Sequence, residues 1–185
     1  MLFFAASHLV FCAMSQSAAT PAPYAADTPA AAAFRRTISN PVKLRLFMLR
    51  SLPMAYLAGL RLREITPGRA TVTVPFKYLT KNPFRSIYFA CLSMAAEMAS
   101  GVLSMMNTQG GRVSMLVVGL EAEFTKKAVG LISFTSEDGG RIAQAIAESR
   151  ATGEGRTVVC TSTGLDEAGD TVAIFRITWS YRAKQ

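Results

Sequence analysis

The feature that most constrains this fold is a long apolar segment with one acidic residue inside it. Residues 82–106 read NPFRSIYFACLSMAAEMASGVLSMM, and the acid is Glu97. A carboxylate among Met, Ala, Leu and Val is costly unless it is paired, hydrogen-bonded or used in chemistry. Other polar side chains share one helical face with Glu97, namely Ser86, Ser93, Ser100 and Ser104. The pattern predicts a long helix that is apolar except for one polar stripe.

Three interpretations of this helix compete. Its length is sufficient to cross a bilayer, but a central carboxylate and many Ala, Ser and Gly residues disfavour a lipid-facing helix. The same small residues fit a core helix that packs closely onto a sheet. In that setting Glu97 is either a structural acid with satisfied hydrogen bonds or a functional acid, because buried acids occur in both roles. The sequence leaves these two roles open.

Alternation of apolar and polar residues predicts strands on both sides of the helix. One strand precedes it and four follow it, over residues 69–76, 118–124, 131–135, 157–165 and 171–181. A short helix is predicted after Asp138-Gly139-Gly140, and an amphipathic helix from Val42 to Ser51 that ends at Pro53. A curved antiparallel sheet wrapped around the long central helix would bury that helix and one sheet face. The expected fold class is therefore α+β.

Five short motifs occur within this framework in a definite order. They are Leu60-Arg61-Leu62-Arg63-Glu64, Pro67-Gly68-Arg69-Ala70, Val72-Thr73-Val74-Pro75, Lys81-Asn82 and Ala96-Glu97. Their order resembles the hotdog fold of acyl-CoA thioesterases, and within it the DUF4442 branch of the PaaI-like superfamily. The resemblance covers roughly residues 40–182. It implies a homodimer or a dimer of dimers.

The resemblance also implies hydrolysis of an acyl-CoA or acyl-ACP thioester at the N-terminus of the central helix. Backbone N–H groups near residues 85–87 would hold the thioester oxygen, Asn82 would orient substrate or water, and Ser86 adds a hydroxyl. Glu97 would serve as general base or nucleophile. The substrate-binding residues implied are Arg85, Ile87, Lys126 and Lys127, and candidates for an apolar lining are Phe89, Met94, Met98 and Met105.

An alternative function stays open because the loop before the helix lacks the His and Gly that this family usually carries there. It reads Asn82-Pro83-Phe84-Arg85-Ser86. Glu97 lies eleven residues beyond Ser86, about 16 Å along one helix, so a partner subunit would have to close that gap. The alternative is a non-catalytic hotdog module that binds acyl ligands or only dimerises.

The titratable residues exclude several other chemistries. The only histidine is His8, so Ser-His-Asp triads and His-dependent hotdog dehydratases have no base available. Cys12, Cys91 and Cys160 show no metal-ligand spacing, and neither a metal nor another cofactor is expected. The cysteines are most simply buried small side chains in a reducing compartment, which predicts a cytoplasmic protein.

Length and composition predict one domain with an N-terminal extension. Residues 1–36 are expected to form a disordered extension, with Met14 as the hypothesised natural start, and residues 37–185 a single hotdog domain. The formal charge is +8, and its spread along the chain favours a solvated basic surface over a nucleic-acid site. Neither nucleic acid nor a membrane span is predicted. An anionic acyl carrier would match this charge.

Overall fold

Six strands form one antiparallel sheet that wraps around a long helix. The computed structural model describes residues 28–184, so the expectations for His8, Cys12 and Met14 lie outside the described residues. The elements in chain order are α1 (Pro29–Ile38), α2 (Pro41–Ser51), α3 (Pro53–Ala58), β1 (Arg61–Ile65), β2 (Ala70–Pro75), a 3₁₀ turn (Tyr78–Thr80), α4 (Phe89–Thr108), β3 (Val113–Phe124), β4 (Leu131–Ser136), α5 (Gly139–Thr152), β5 (Arg156–Leu165) and β6 (Thr171–Ala183). The strands lie in the order β1-β2-β4-β5-β6-β3. The predicted α+β class and the curved sheet around a central helix are confirmed.

Strand β6 provides much of the core face of the sheet. It pairs antiparallel with β5 on one side and with β3 on the other. Phe175, Ile177 and Tyr181 share one face of β6 and are fully buried, as the alternation predicted. The rings of Phe134 and Phe175 meet edge to face with centroids 5.5 Å apart, a geometry that adds to the stabilisation from burial. The core therefore lies between this sheet face and α4, which contacts five of the strands.

The central helix α4 begins later than the sequence predicted. Residues 82–88 form a loop, in which Lys81 and Ile87 pair as an isolated bridge. Arg85 in that loop has φ +59°, a left-handed conformation that a right-handed helix cannot contain. The predicted helix is therefore wrong over its first turns, because the turn chemistry of Asn82-Pro83 overrides the apolar pattern. Ser86 consequently does not belong to the polar stripe of the helix.

Small side chains let α4 lie close to the sheet. Ala95, Ala96 and Ala99 are fully buried, and the Ser162 hydroxyl donates to the Ala96 carbonyl at 2.8 Å. By length and composition alone α4 could cross a membrane, yet 67% of its most apolar window is buried inside the fold. The helix is the core helix that the small residues predicted.

Three helices precede the sheet. The Thr28 side chain caps α1 by accepting a hydrogen bond from Ala31 N at 3.1 Å, and the Asn40 side chain caps α2. The expected disorder is wrong for residues 29–36, because they belong to α1, whose residues Ala31 and Ile38 join the core. Pro53, expected to end the amphipathic helix, also begins α3, since proline suits the first turn of a helix.

The sheet has two edge strands, β1 and β3. The sequence missed β1 because its polar residues face solvent without regular alternation, in the pattern Arg61, Leu62, Arg63 and Glu64. β3 begins at Val113, earlier than expected, and a bulge lies between Val117 and Gly119. Such a bulge breaks the period of two, so alternation alone could not assign the whole strand to one face.

Candidate active site

Asn82 organises the loop that leads into α4. Its Nδ2 donates to Ser86 Oγ at 3.0 Å and lies 3.4 Å from the Ile87 carbonyl oxygen. Its Oδ1 accepts from Phe84 N at 3.0 Å and from Ser86 N at 3.1 Å. Asn commonly bonds to backbone groups two residues on, and proline presets the next φ angle. Both polar atoms of the Asn82 side chain are therefore used inside the loop.

Ser86 is also turned into this loop. It is only 8% exposed, and its hydroxyl lies within hydrogen-bonding distance of both polar atoms of the Asn82 side chain. The structure thus brings these two predicted site residues together. Their polar atoms contact each other, which suits a role in positioning the loop better than direct contact with a substrate.

The backbone donors predicted to hold a thioester oxygen are already occupied. Arg85 N donates to the Asn82 carbonyl at 3.2 Å, and Ile87 N donates to the Ala128 carbonyl at 2.8 Å. Ser86 N donates to the Asn82 side chain. Since each backbone N–H carries one hydrogen, residues 85–87 offer no free donor to a substrate.

Free donors lie two residues further on, at the true start of α4. Tyr88 is the N-cap and provides no side-chain cap. Within residues 28–184 the N–H groups of Phe89 and Ala90 have no hydrogen-bond acceptor. A helix start combines such unpaired donors with the positive end of the helix dipole. Sequence reasoning missed this pair because it began the helix too early, although Pro83 was a signal for a later start.

A groove of about 670 Å³ lies at this helix start. It is lined by five of the seven predicted site residues, namely Asn82, Ser86, Ile87, Lys126 and Lys127. Exposed aromatic side chains also border it, namely Phe84, Tyr88, Phe89 and Phe124. Arg85 belongs to the same loop, and its side chain is exposed. The sequence therefore predicted a cluster that the fold does assemble.

The cations at the groove differ in availability. Lys126 Nζ lies 2.7 Å from a carboxylate oxygen of both Asp166 and Asp170. These hydrogen bonds raise the pKa of Lys126, and the two carboxylates offset its charge. Among residues 28–184, Lys127 and Arg85 form no ion pair. Lys127 and Arg85 are thus the better placed cations for an anionic ligand.

Glu97 lies elsewhere, on the wall of a mostly apolar cavity of about 310 Å³ bounded by α1, α2, α4 and β3. Its apolar lining includes Phe34, Ile38, Leu44, Phe47, Met98, Val102, Met105 and Met115. Gly101 makes room for the carboxyl group, since a Cβ there would lie only 3.2 Å from Glu97 Oε1. Met98 and Met105 were predicted to line an apolar pocket. Phe34 and Ile38 were missed, because composition placed Phe34 in a disordered extension and Ile38 just after its end.

The Glu97 carboxylate forms no hydrogen bond and no ion pair with any of the described residues 28–184. Desolvation by burial raises its pKa above the ordinary 4.5. The stripe serines bond elsewhere: Ser100 Oγ accepts from Trp179 Nε1 at 2.9 Å, and Ser104 Oγ lies 2.6 Å from the Tyr181 hydroxyl. No described side chain therefore holds Glu97 as a structural acid, and its half-buried carboxylate lies at the wall of the cavity.

The groove and the cavity are separate in one chain. They share no lining residue. Glu97 lies eight residues beyond Phe89, about 12 Å along the helix axis. A carboxylate must come within about 3 Å of the water or carbon on which it acts. One copy of the chain therefore holds the two halves of the predicted site apart.

The remaining candidate nucleophiles are inert in this fold. Burial raises the pKa of the Cys91 thiol, and raises that of Cys160 to about 12. Both cysteines are free and buried, so neither forms the thiolate that reaction requires. In the part of the chain from residue 28 to residue 184, no group of three or more His, Cys, Asp or Glu side chains could hold a metal ion.

Comparison with known proteins decides the family. The profile described as Domain of unknown function (DUF4442) matches residues 43–181, which is most of the chain. The chain belongs to the DUF4442 family. No curated protein matches it in sequence. The family match begins inside α2, so α1 and the cavity wall that it provides lie outside the DUF4442 region.

Solved structures share the fold of this DUF4442 protein. A Pseudomonas aeruginosa protein of unknown function, described as a probable thioesterase, superposes with TM-score 0.67 at 23% identity over 78% of this chain and 97% of its own. A Haemophilus influenzae thioesterase gives 0.57 at 13% identity over 78% and 91%. A variant of a Staphylococcus aureus thioesterase gives 0.57 at 13% identity over 70% and 98%. The predicted hotdog fold is thereby confirmed.

Proposed function

We propose that this protein hydrolyses an acyl thioester, carried by CoA or by acyl carrier protein, with Glu97 as the general base. The observation that carries the proposal is that the Glu97 carboxylate, on the wall of an apolar cavity, has no polar partner among residues 28–184. A raised pKa makes a carboxylate a stronger base, and an acid without a structural partner is available for chemistry. The thioesterases of the same fold support the reaction class.

In the proposed reaction, Glu97 takes a proton from a water molecule as the water oxygen attacks the thioester carbonyl carbon. The carbonyl oxygen becomes an oxyanion, which the free N–H groups of Phe89 and Ala90 would stabilise at a helix start. The C–S bond then breaks, the thiolate leaves with the proton that Glu97 held, and the acyl group departs as a carboxylic acid. Water is the only co-reactant.

The loop residues have supporting roles in this proposal. Asn82 and Ser86 hold the loop in the conformation that presents the start of α4, because their polar atoms bond to one another and to its backbone. Arg85 and Lys127 would bind the phosphate groups of the carrier, and Ile87 the apolar part of its arm. Lys126 would contribute less, because two aspartates offset its charge.

The acyl chain would occupy the cavity beside Glu97. Its volume of about 310 Å³ is at the small end of the range for ligand pockets, about 300–1,000 Å³. We therefore propose an acyl chain of medium length rather than a long one. Phe34 from α1 and Met105 from α4 both line the cavity and would contact a chain in this position.

Both halves of the site would meet only in a homodimer, alone or within a dimer of dimers. β3 is a long edge strand that exposes the apolar side chains Leu116, Val118, Leu120 and Phe124. A long apolar edge is a ready site for pairing with another chain. Pairing of two copies would bring the helix start of one chain to Glu97 of the other and remove the gap of about 12 Å.

The proposed functional unit is one hotdog domain, extended at its N-terminus to include α1. The boundary expected at residue 37 would cut through α1, which runs to Ile38 and packs on the core. We retain the cytoplasm as the proposed compartment, because Cys91 and Cys160 are free thiols and cytoplasmic thiols stay reduced.

A second candidate function is a non-catalytic hotdog module that binds acyl ligands. The observation in its favour is that Glu97 and the free helix-start donors lie in separate pockets of one chain. If copies do not pair so as to join them, the cavity could still bind an acyl chain by burial alone.

Thiol release from acyl-CoAs of two to sixteen carbons tests the proposal. We expect release to peak at medium chain length, and the isosteric Glu97→Gln variant to lose at least about 100-fold, the usual contribution of a general base. Glu137→Gln, in a carboxylate that is 74% exposed, is the matched control and should keep full activity. Binding of acyl-CoA without release by either protein would favour the second function.

Complementation tests whether the site spans two chains. Phe89→Pro removes one of the two N–H donors proposed for the oxyanion. The variant should still fold, because proline suits the first position of a helix. Tyr88 also has the extended conformation that normally precedes proline, with ψ 133°. Phe89→Ala keeps the donor and serves as its control. Refolding Phe89→Pro together with Glu97→Gln should restore about a quarter of the activity, since half the dimers then hold one intact site. No recovery would mean that each site lies within one chain.

A further inference from the structure

Nearly all of the net charge of this protein lies in one short region. Residues 28–63 contain seven Lys or Arg and no Asp or Glu, which accounts for +7 of the formal +8. The rest of the chain, with thirteen basic and twelve acidic residues, is close to neutral. The region comprises α1, α2, α3 and the start of β1. The charge is therefore concentrated on the N-terminal helices and the start of β1, and is not spread along the chain as the sequence analysis took it to be.

Helix α2 is apolar on two opposite faces. Leu44 and Met48 are buried on its inner face. On the outer face Val42, Leu46 and Leu49, spaced by one helical turn, are 74%, 67% and 52% exposed. A helix on the surface of a globular protein normally turns polar residues outward. The outer stripe of α2 therefore requires an explanation that the core does not supply.

Basic side chains flank the outer stripe on both sides. At about 100° per residue, Arg45 lies on one side of the stripe, and Lys43 and Arg50 lie on the other. All three are exposed, and none forms an ion pair with a residue in the range 28–184. Long basic side chains beside an apolar stripe can reach toward phosphate groups while the stripe enters an apolar layer.

The same surface continues onto α3 and an adjoining groove. Met54 and Leu57 of α3 are 64% and 49% exposed. A groove of about 490 Å³ beside them is lined by four cations and by no acidic residue, the cations being Arg45, Arg61, Arg63 and Lys77. Such a groove suits the phosphate of a lipid headgroup at the level of the neighbouring apolar side chains.

We propose that the α2–α3 surface docks this protein onto an anionic lipid membrane, with Val42, Leu46 and Leu49 inserted and Lys43, Arg45 and Arg50 at the headgroup phosphates. Apolar area and positive charge combine in such surface binding, and neither alone is sufficient for stable attachment. The protein lies on the membrane in this arrangement and does not cross it.

Other occupants of this surface fit the charge less well. A second copy placed on the same face would bring two regions of +7 together, which is unfavourable at short range. Residues 1–27 contain no Lys or Arg and one acid, Asp27, so they could offset little of this charge. Nucleic acid would match the charge but would leave the apolar stripe in water, because phosphate contacts dominate such binding.

Vesicle sedimentation of the full chain tests the proposal. Phosphatidylcholine vesicles with phosphatidylglycerol should bind the protein, and vesicles of phosphatidylcholine alone should not. A triple variant should lower the partition coefficient of the protein onto these vesicles about 100-fold, namely Lys43→Gln/Arg45→Gln/Arg50→Gln. The size of the effect follows from about 1 kcal/mol for each basic side chain near an anionic surface. Arg112→Gln/Arg182→Gln/Lys184→Gln removes the same charge from exposed positions elsewhere and should have a severalfold smaller effect.

The apolar stripe is tested separately. Leu46→Ser should weaken vesicle binding about tenfold, whereas Leu165→Ser, at a partly exposed position on β5, should not. Circular dichroism checks the fold of each variant, and inorganic phosphate at matched ionic strength should not release the protein. Equal binding to neutral vesicles, or equal losses in both triple variants, would overturn the proposal. Failure of the protein to bind any vesicle would also overturn it. Binding of a polynucleotide instead would assign the surface to nucleic acid, and a change of oligomeric state in Leu46→Ser would assign it to a second copy of the chain.

Discussion

The pH dependence of stability gives a direct test of the environment of Glu97. Replacement by Gln keeps the shape of the side chain and removes its titration. Desolvation by burial raises the native pKa of Glu97 above the unfolded value of about 4.5. The native state therefore binds this proton more tightly than the unfolded state does, so the stability of the natural chain falls as pH rises through that interval.

The size of the effect follows from linkage. Below the unfolded pKa both states are protonated, and the difference between the natural chain and Glu97→Gln should not change with pH. Above the native pKa the ionised carboxylate costs about 1.36 kcal/mol for each unit by which the native pKa exceeds the unfolded one. Relative to the difference at low pH, the Gln variant should then gain that amount of stability over the natural chain. Between the two pKa values the difference should grow steadily with pH.

Urea unfolding between pH 4 and pH 8 measures this difference. Trp179 is the only tryptophan, is 4% exposed and bonds to α4 through Ser100, so its fluorescence reports loss of the core. One protein concentration must be kept, because dimerisation would make stability depend on it. Glu137→Gln, at a carboxylate that is 74% exposed, is the control. A natural chain that gains stability relative to Glu97→Gln as pH rises would refute the reasoning, because it would reveal a partner for the carboxylate.

Three further predictions concern packing and the loop. Gly164→Ala should lower the free energy of unfolding by about 1–3 kcal/mol, because a Cβ there would lie 2.5 Å from the Phe134 ring. Gly155→Ala, where a Cβ would have no neighbour closer than 4.0 Å, should cost far less. Equal losses of stability in urea unfolding would contradict this prediction. Ser100→Ala should cost about 1–3 kcal/mol by leaving the buried indole N–H of Trp179 without its acceptor; an unchanged urea midpoint would show that the bond is dispensable. Asn82→Ala should speed amide hydrogen exchange at Phe84 and Ser86, whose N–H groups bond to the Asn82 side chain, and should reduce thiol release. Asn107→Ala, which loses one hydrogen bond to the Leu103 carbonyl, is the control. Normal protection from exchange in Asn82→Ala would exclude a loop-positioning role.

The order and type of most elements could be predicted from the sequence. Strands such as 171–181 and the small-residue helix show periods of two and of 3.6, which depend only on neighbouring residues. Helix α1 and strand β1 escaped because their patterns are weak: α1 begins with Pro and four Ala, and β1 is an exposed edge. Their stability comes from packing against distant parts of the chain, which no local pattern records.

The candidate site divides in the same way. The sequence by itself determined that Glu97 is an isolated acid in an apolar helix, because that statement rests on residue type and spacing. Only the tertiary structure decided three other features of the site. The backbone N–H groups of residues 85–87 bond within the loop or to Ala128, those of Phe89 and Ala90 have no acceptor among residues 28–184, and α1 provides part of the wall of the cavity beside Glu97. Hydrogen-bond satisfaction and burial join residues far apart in the chain, so they exist only once the fold has brought those residues together.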